Sequence, residues 1–193
     1  MRKSFGLCLV LTSTLLLAGC SQKFEPTEST IFVTSKGTVQ SAVMESFDKT
    51  YYDFEELSED VQSAVDAYCS AGKENAVVVE SLTTANGDVT LQMQYQTAKD
   101  YSEFNDMILF SGTLLEAKAA GYRISDLYDA QGQVVTLSAE EEGSLKVIIT
   151  EESVCIQTSG KIQGVSDNVT IIDKKLARAM EAGSEHLAFV VYK

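Results

Sequence analysis

The stretch NAVVVESLTTANGDVTLQMQYQ constrains this chain more than any other. Val89, Leu91, Met93 and Tyr95 are apolar, and Thr90, Gln92, Gln94 and Gln96 between them are polar. Side chains along a strand alternate between faces, so this run has one dry face and one wet face. Asn86-Gly87 separates it from the β-branched run Val77 to Leu82. That dipeptide tolerates positive φ at both turn positions and closes a two-residue hairpin. An antiparallel sheet with one buried face is therefore expected, and other segments must cover it.

Several segments offer that cover. In DFEELSEDVQSAVDAYCSAG, Asp53 is placed to cap a helix and Glu56 follows it at capping-box spacing. Leu57, Val61, Ala64, Val65 and Tyr68 recur at helical spacing and form one apolar stripe, and Gly72 is placed to stop the helix. Thr97 with Asp100 starts a second, shorter helix to about Asn105, with Tyr101 and Phe104 turned inward. Thr113 with Glu116 starts a third, ended by Gly121.

The remaining segments read mostly as strands. TIFVTSKGTVQSAVMESF gives a strand, a turn at Gly37 and a second strand, although Val39, Ala42, Val43 and Phe47 would also line a helix. Beyond Tyr122, ISDLYD and QVVTLS flank a turn at Ala130 to Gly132. LKVIITEESVCIQTSGKIQGVSDNVTII holds three or four short strands. KKLARAMEAGSEH reads as a strand and a loop, and LAFVVYK closes the chain as a strand. The expected class is α+β: an antiparallel sheet with two or three helices on one face and a β-rich C-terminal half.

The N-terminus carries a different message. Arg2 and Lys3 precede an apolar run from Phe5 to Leu17, and Ala18, Gly19 and Cys20 follow. A charged start, a short apolar stretch and small residues make a secretory signal, too short for a comfortable transmembrane helix. From the order of residues alone, an ordinary secretory signal with an incidental cysteine is the alternative. LAGC at Leu17 to Cys20 resembles the lipobox of bacterial lipoproteins. That resemblance implies a diacylglycerol thioether on Cys20 and cleavage just before it. The expected organisation is a signal peptide (1–19), a lipidated tether (20–29) that is polar and flexible, and a single α+β domain (30–193). The expected location is the extracytoplasmic face of the cell membrane, which the chain contacts through the lipid. The strand–Gly turn–strand opening, the YYD helix and VSDNV also resemble uncharacterised lipoproteins of anaerobic Gram-positive bacteria, a group that brings no activity with it.

Charge narrows the partners. The formal net charge is −13, and loss of Arg2 and Lys3 with the signal moves it to −15. Phosphate binding rests on Lys and Arg, so no nucleic-acid partner is expected. Cys69 and Cys155 would remain as thiols. A disulfide between them would close a long loop, but their strand and helix faces favour two separate buried thiols. No C-x-x-C, serine elbow or EF-hand loop is present. The lone His186 has only Glu185 beside it, and neighbours along a strand point to opposite faces, so an exposed loop histidine is expected. No catalytic residue, metal or cofactor is indicated.

Two features stay open. The acidic groups Glu55/Glu56/Glu59/Asp60, Glu140/Glu141/Glu142 and Glu151/Glu152 read as solvated surface, yet paired carboxylates run glycoside hydrolysis where they meet in a cleft. Tyr51, Tyr52 and Phe54 read foremost as the edge of the core. Exposed, Tyr51 and Tyr52 would suit a sugar or a peptide. The functional expectation is a non-catalytic binding or accessory module of the cell envelope with a protein or glycan partner. The alternative is a carboxylate-dependent hydrolase of envelope glycans.

Overall fold

The computed structural model describes residues 24–70, 72–124 and 126–193. Cys20 and the expected signal peptide lie outside them. The chain opens with β1 (Thr30–Val33) and β2 (Val39–Ser46), joined by a turn in which Gly37 takes φ +85°. Helix α1 (Phe54–Ser70) follows, then the hairpin β3 (Val77–Ala85) and β4 (Asp88–Tyr95). Asn86 and Gly87 have φ of 56° and 86°, the geometry their sequence requires. The helical alternative for Val39 to Phe47 gives way to a strand, because β2 pairs with β4 over its whole length, from Val39↔Tyr95 to Ser46↔Asp88.

Helix α2 (Ala98–Asn105) is capped by Thr97, whose hydroxyl accepts from the Asp100 amide. Strand β5 (Leu109–Thr113) leads into α3 (Leu114–Ala119), where Thr113 and Glu116 form a complete capping box. The short β6 (Leu127–Tyr128) and β7 (Val134–Val135) flank the turn at Gly132. Next comes α4 (Ala139–Ser144), then β8 (Lys146–Thr150), β9 (Cys155–Thr158), β10 (Ile162–Val165), β11 (Val169–Asp173), β12 (Leu176–Ala179) and β13 (Ala188–Tyr192).

The class is α+β with a β-rich C-terminal half, and its strands are divided between two sheets rather than gathered in one. The first sheet runs β11-β12-β9-β1-β2-β4-β3, and the second β5-β8-β13-β10-β6-β7. Among the described residues, every strand pairing is antiparallel except β1 with β9, where Ile31 sits beside Ile156. The inner faces meet in the main core: Ile31, Val33 and Ile156 from the first sheet, Ile148, Val190 and Tyr192 from the second. The opposite face of the second sheet carries Val147, Ile149 and Val191, covered by Leu114 and Ala117 of α3. The architecture is thus sheet on sheet, with α3 closing the far side and α1 and α2 on the near face of the β2-β4-β3 end.

The expected tether departs from expectation in its second half. Phe24 stacks on Phe32 with ring centroids 6.0 Å apart, and both oxygens of Glu28 accept from Arg178 Nη2, at 2.5 and 2.7 Å. Ser29 Oγ accepts from the Met44 amide at 3.0 Å. Phe32 and Arg178 project from the outer face of the first sheet, on the opposite parity to Ile31 and Ile156. Residues 24–29 therefore form a strap across that face. Composition marked the segment as polar, but one aromatic and one carboxylate meet partners there.

Candidate functional site

Helix α1 is where the apolar pattern and the packing part company. Asp53 Oδ1 accepts from the Glu55 and Glu56 amides, at 2.8 and 3.2 Å, and starts the helix as expected. Of the expected stripe only Val65 is buried, while Ala64 is exposed and Leu57, Val61 and Tyr68 are half-buried. The helix packs over the edge strand β3. Its C-terminal end is fixed to α2: Lys73 pairs with Glu103 and donates to Tyr68 Oη at 2.9 Å, and Tyr68 Oη donates to Glu103 at 3.0 Å.

This placement leaves a groove of about 310 Å³. Its floor is the inner face of β2 and β4, with Val43, Leu91 and Met93. One wall is α1, with Asp60, Val61 and Ala64, and the other is α2, with Phe104 and Asn105. Val43, which belongs to the core-facing parity of β2, is 43% exposed at the floor of this groove. Among the described residues, the lining includes no basic side chain.

The deep end is polar. Tyr101 Oη donates to Glu152 Oε2 at 2.7 Å, and Asn105 Nδ2 donates to Tyr95 Oη at 3.3 Å. The Tyr95 and Tyr101 rings meet edge to face, centroids 4.8 Å apart. Glu152 stands in the turn between β8 and β9. Burial raises its carboxyl above the ordinary range; the Tyr101 hydrogen bond opposes the rise, and the neighbouring Glu151 charge adds to it. Burial likewise pushes the Tyr95 and Tyr101 hydroxyls up, so both stay protonated as donors. The adjacent Glu151 is used differently: its Oε1 accepts from the Ile108 amide at 2.7 Å.

The other candidates fall as follows. Tyr51 is 75% and Tyr52 44% exposed, which corrects the reading of this aromatic group as core edge. Chain direction explains it: β2 runs on past the end of β1, so Phe47 to Phe54 lie beyond the inter-sheet core. Tyr52 stacks on Phe47 and meets Tyr51 edge to face, both at 4.9 Å, so the rings bury area against one another instead. Cys20 lies outside the described residues. His186 is an exposed loop residue whose Nε2 lies 3.2 Å from Asp167 Oδ1, a partner 19 residues away that sequence neighbours did not suggest. Asn168 does turn work, accepting from Ser166 Oγ at 2.6 Å.

Cys69 and Cys155 are free thiols. Cys69 Sγ donates to the Val77 carbonyl at 3.5 Å, and Cys155 is buried on the strap side of β9. Glu140 to Glu142 form the first turn of α4, where Glu141 completes a capping box with Ser138. That helix was missed, although Ser138-x-x-Glu141 was the available signal. Among the described residues, no group of three or more His, Cys, Asp or Glu is placed to hold a metal ion. No family model, curated protein or solved structure matches the chain.

Proposed function

We propose that this protein is a lipid-anchored, non-catalytic binding or accessory module of the cell envelope, and that the groove between α1, α2 and the β2–β4 face is where it binds. The observation that carries the reading is a floor left open at Val43 and partly at Leu91. An apolar strand face with Val43 43% exposed, ending in a hydrogen-bonded Tyr101–Glu152 pair, combines apolar area with a few convergent polar groups. The anchor is supported by the order of charge, apolar run and LAGC at the N-terminus. Stable attachment takes two acyl chains, as a diacylglycerol on Cys20 would supply.

Two measurements test the reading. Cys20→Ala blocks lipid attachment and moves the protein out of the washed membrane fraction; unchanged fractionation refutes the anchor. Methyl-labelled protein titrated with soluble envelope fragments (glycan and peptide) shows saturable shifts at Val43, Val61, Leu91 and Met93. Shifts confined to other surfaces remove the groove from the proposal.

A second reading has one observation in its favour. Asp60 and Glu152, 92 positions apart, line the same cleft, and burial holds the Glu152 carboxyl up, as a general acid requires. A carboxylate-dependent hydrolase of envelope glycans predicts reducing-end release from purified wall glycan that Glu152→Gln abolishes. Absence of release by the wild-type protein ends that reading.

A further inference from the structure

We infer that the natural occupant of the groove is a polypeptide segment presenting a lysine or arginine side chain between apolar residues. The inference rests on the binding-module reading above and names the partner's chemistry. Two carboxylates border the cavity from distant parts of the chain, Asp60 from α1 and Glu152 from the β8–β9 turn, and among the described residues no basic side chain lines it. Tyr101 gives Glu152 a neutral hydrogen bond and not a counter-charge. A carboxylate half-removed from water without a cation is incompletely compensated, and a cationic occupant supplies what is missing. Between these acids the floor is Val43, Leu91 and Met93, with the Tyr95 ring at the closed end. That surface suits an aliphatic stem with a charged tip, the division that lysine and arginine carry.

The dimensions favour a polypeptide over a free amine. A volume of about 310 Å³ lies at the low end for small-molecule sites and holds only one or two side chains. The apolar surface also continues along β2. Phe47 follows Val43 by four residues on the same strand parity, about 13 Å further on, and carries the exposed Tyr52 and Tyr51 rings. An occupant reaching from Glu152 to these rings needs several residues. Along that path the exposed Glu45, on the same strand parity, adds the same sign of charge.

The test uses the full protein with four probes: an end-blocked dodecapeptide of lysine, leucine and tyrosine, its glutamate-for-lysine counterpart, its glutamine-for-lysine counterpart, and 1,5-diaminopentane. Calorimetry gives affinity and methyl shifts give location. The expected result is saturable binding of the lysine peptide, with shifts at Val43, Val61, Leu91 and Met93. The glutamate peptide and the diamine are each at least tenfold weaker. Asp60→Asn with Glu152→Gln costs tenfold or more, and exposed Asp60→Asn alone costs at least threefold. A charge-matched control, Glu140→Gln with Glu185→Gln, costs less than twofold.

Equal loss in the control overturns the inference, because binding then follows net charge alone. Equal affinity for the glutamate peptide or the diamine also overturns it. If the glutamine peptide shifts the groove methyls and the lysine peptide does not, the cation falls and the binding module stands. If no probe shifts them, this inference falls, and the envelope-fragment titration then decides the module separately.

Discussion

Tyr101 and Glu152, 51 residues apart in the chain, meet at 2.7 Å and tie helix α2 to the turn between the two sheets. Tyr101 is buried and its hydroxyl stays protonated, so it donates whether Glu152 is ionised or neutral. Because burial raises the Glu152 carboxyl, the folded state holds this proton to higher pH than the unfolded chain does. Stability therefore falls as pH rises from the ordinary carboxylate range through the raised value. Glu152→Gln keeps an acceptor for Tyr101 and removes the charge. Thermal melts should show the variant above wild type at pH 8 and level with it at pH 4. A variant that melts lower at pH 8 would mean the charge is compensated.

Val65 is the one fully buried side chain of helix α1. Val65→Ala removes two methyl-equivalents from the contact with the sheet, a loss of about 1.5–2.5 kcal/mol. The loss should appear first in α1. Amide exchange across residues 54–70 should speed up before that of β4 and β13 changes. Uniform acceleration would show that α1 unfolds only with the whole domain.

Gly160 is fixed by the end of the chain. A Cβ there would collide with the main-chain carbonyl of Lys193, whose amide and carbonyl both pair with Lys161. Gly160→Ala should cost about 1–3 kcal/mol in denaturant unfolding. Gly143→Ala is the counterpart. It meets nothing within 4 Å and lies in α4, where alanine is the better helix former by up to about 1 kcal/mol. The two glycines should move the midpoint in opposite directions.

The strap should respond to acid. The Arg178 hydrogen bonds hold the Glu28 carboxyl below its ordinary value, so the contact is complete above the unfolded carboxylate pKa. It is lost only as pH falls through the lowered folded one. Exchange at residues 24–29 should rise in that acid window while the cores stay protected, and Arg178→Met should bring the same opening to neutral pH. Protection unchanged in that variant would assign the strap to the Phe24–Phe32 stack and the Ser29 hydrogen bonds instead.

Local chemistry was legible in the sequence, and long-range partition was not. Asn86-Gly87 announces its hairpin, and Thr113 with Glu116 announces α3, because each signal acts within a few residues. Ser138 with Glu141 carried the same information for α4, but three consecutive glutamates obscured it. The division into two sheets turns on pairings such as β1 with β9, more than a hundred residues apart and parallel. The groove escaped for a related reason. Helical spacing shows that Val61 and Ala64 share an apolar face, and it says nothing about whether another element covers that face. Glu152 likewise stood out only as half of an acidic pair, until folding set it against Tyr101.

The strap has a geometric consequence for a molecule tethered through Cys20. Because the strap is bound from Phe24 onward, three residues separate it from Cys20, a span of at most about 14 Å. The strap crosses the outer face of the first sheet, and the groove opens on the other face. With the proposed lipid on Cys20, the first sheet would stand between the bilayer and the groove. So anchored, the domain would keep its back to the lipid, and the proposed occupant would reach the groove from the environment outside.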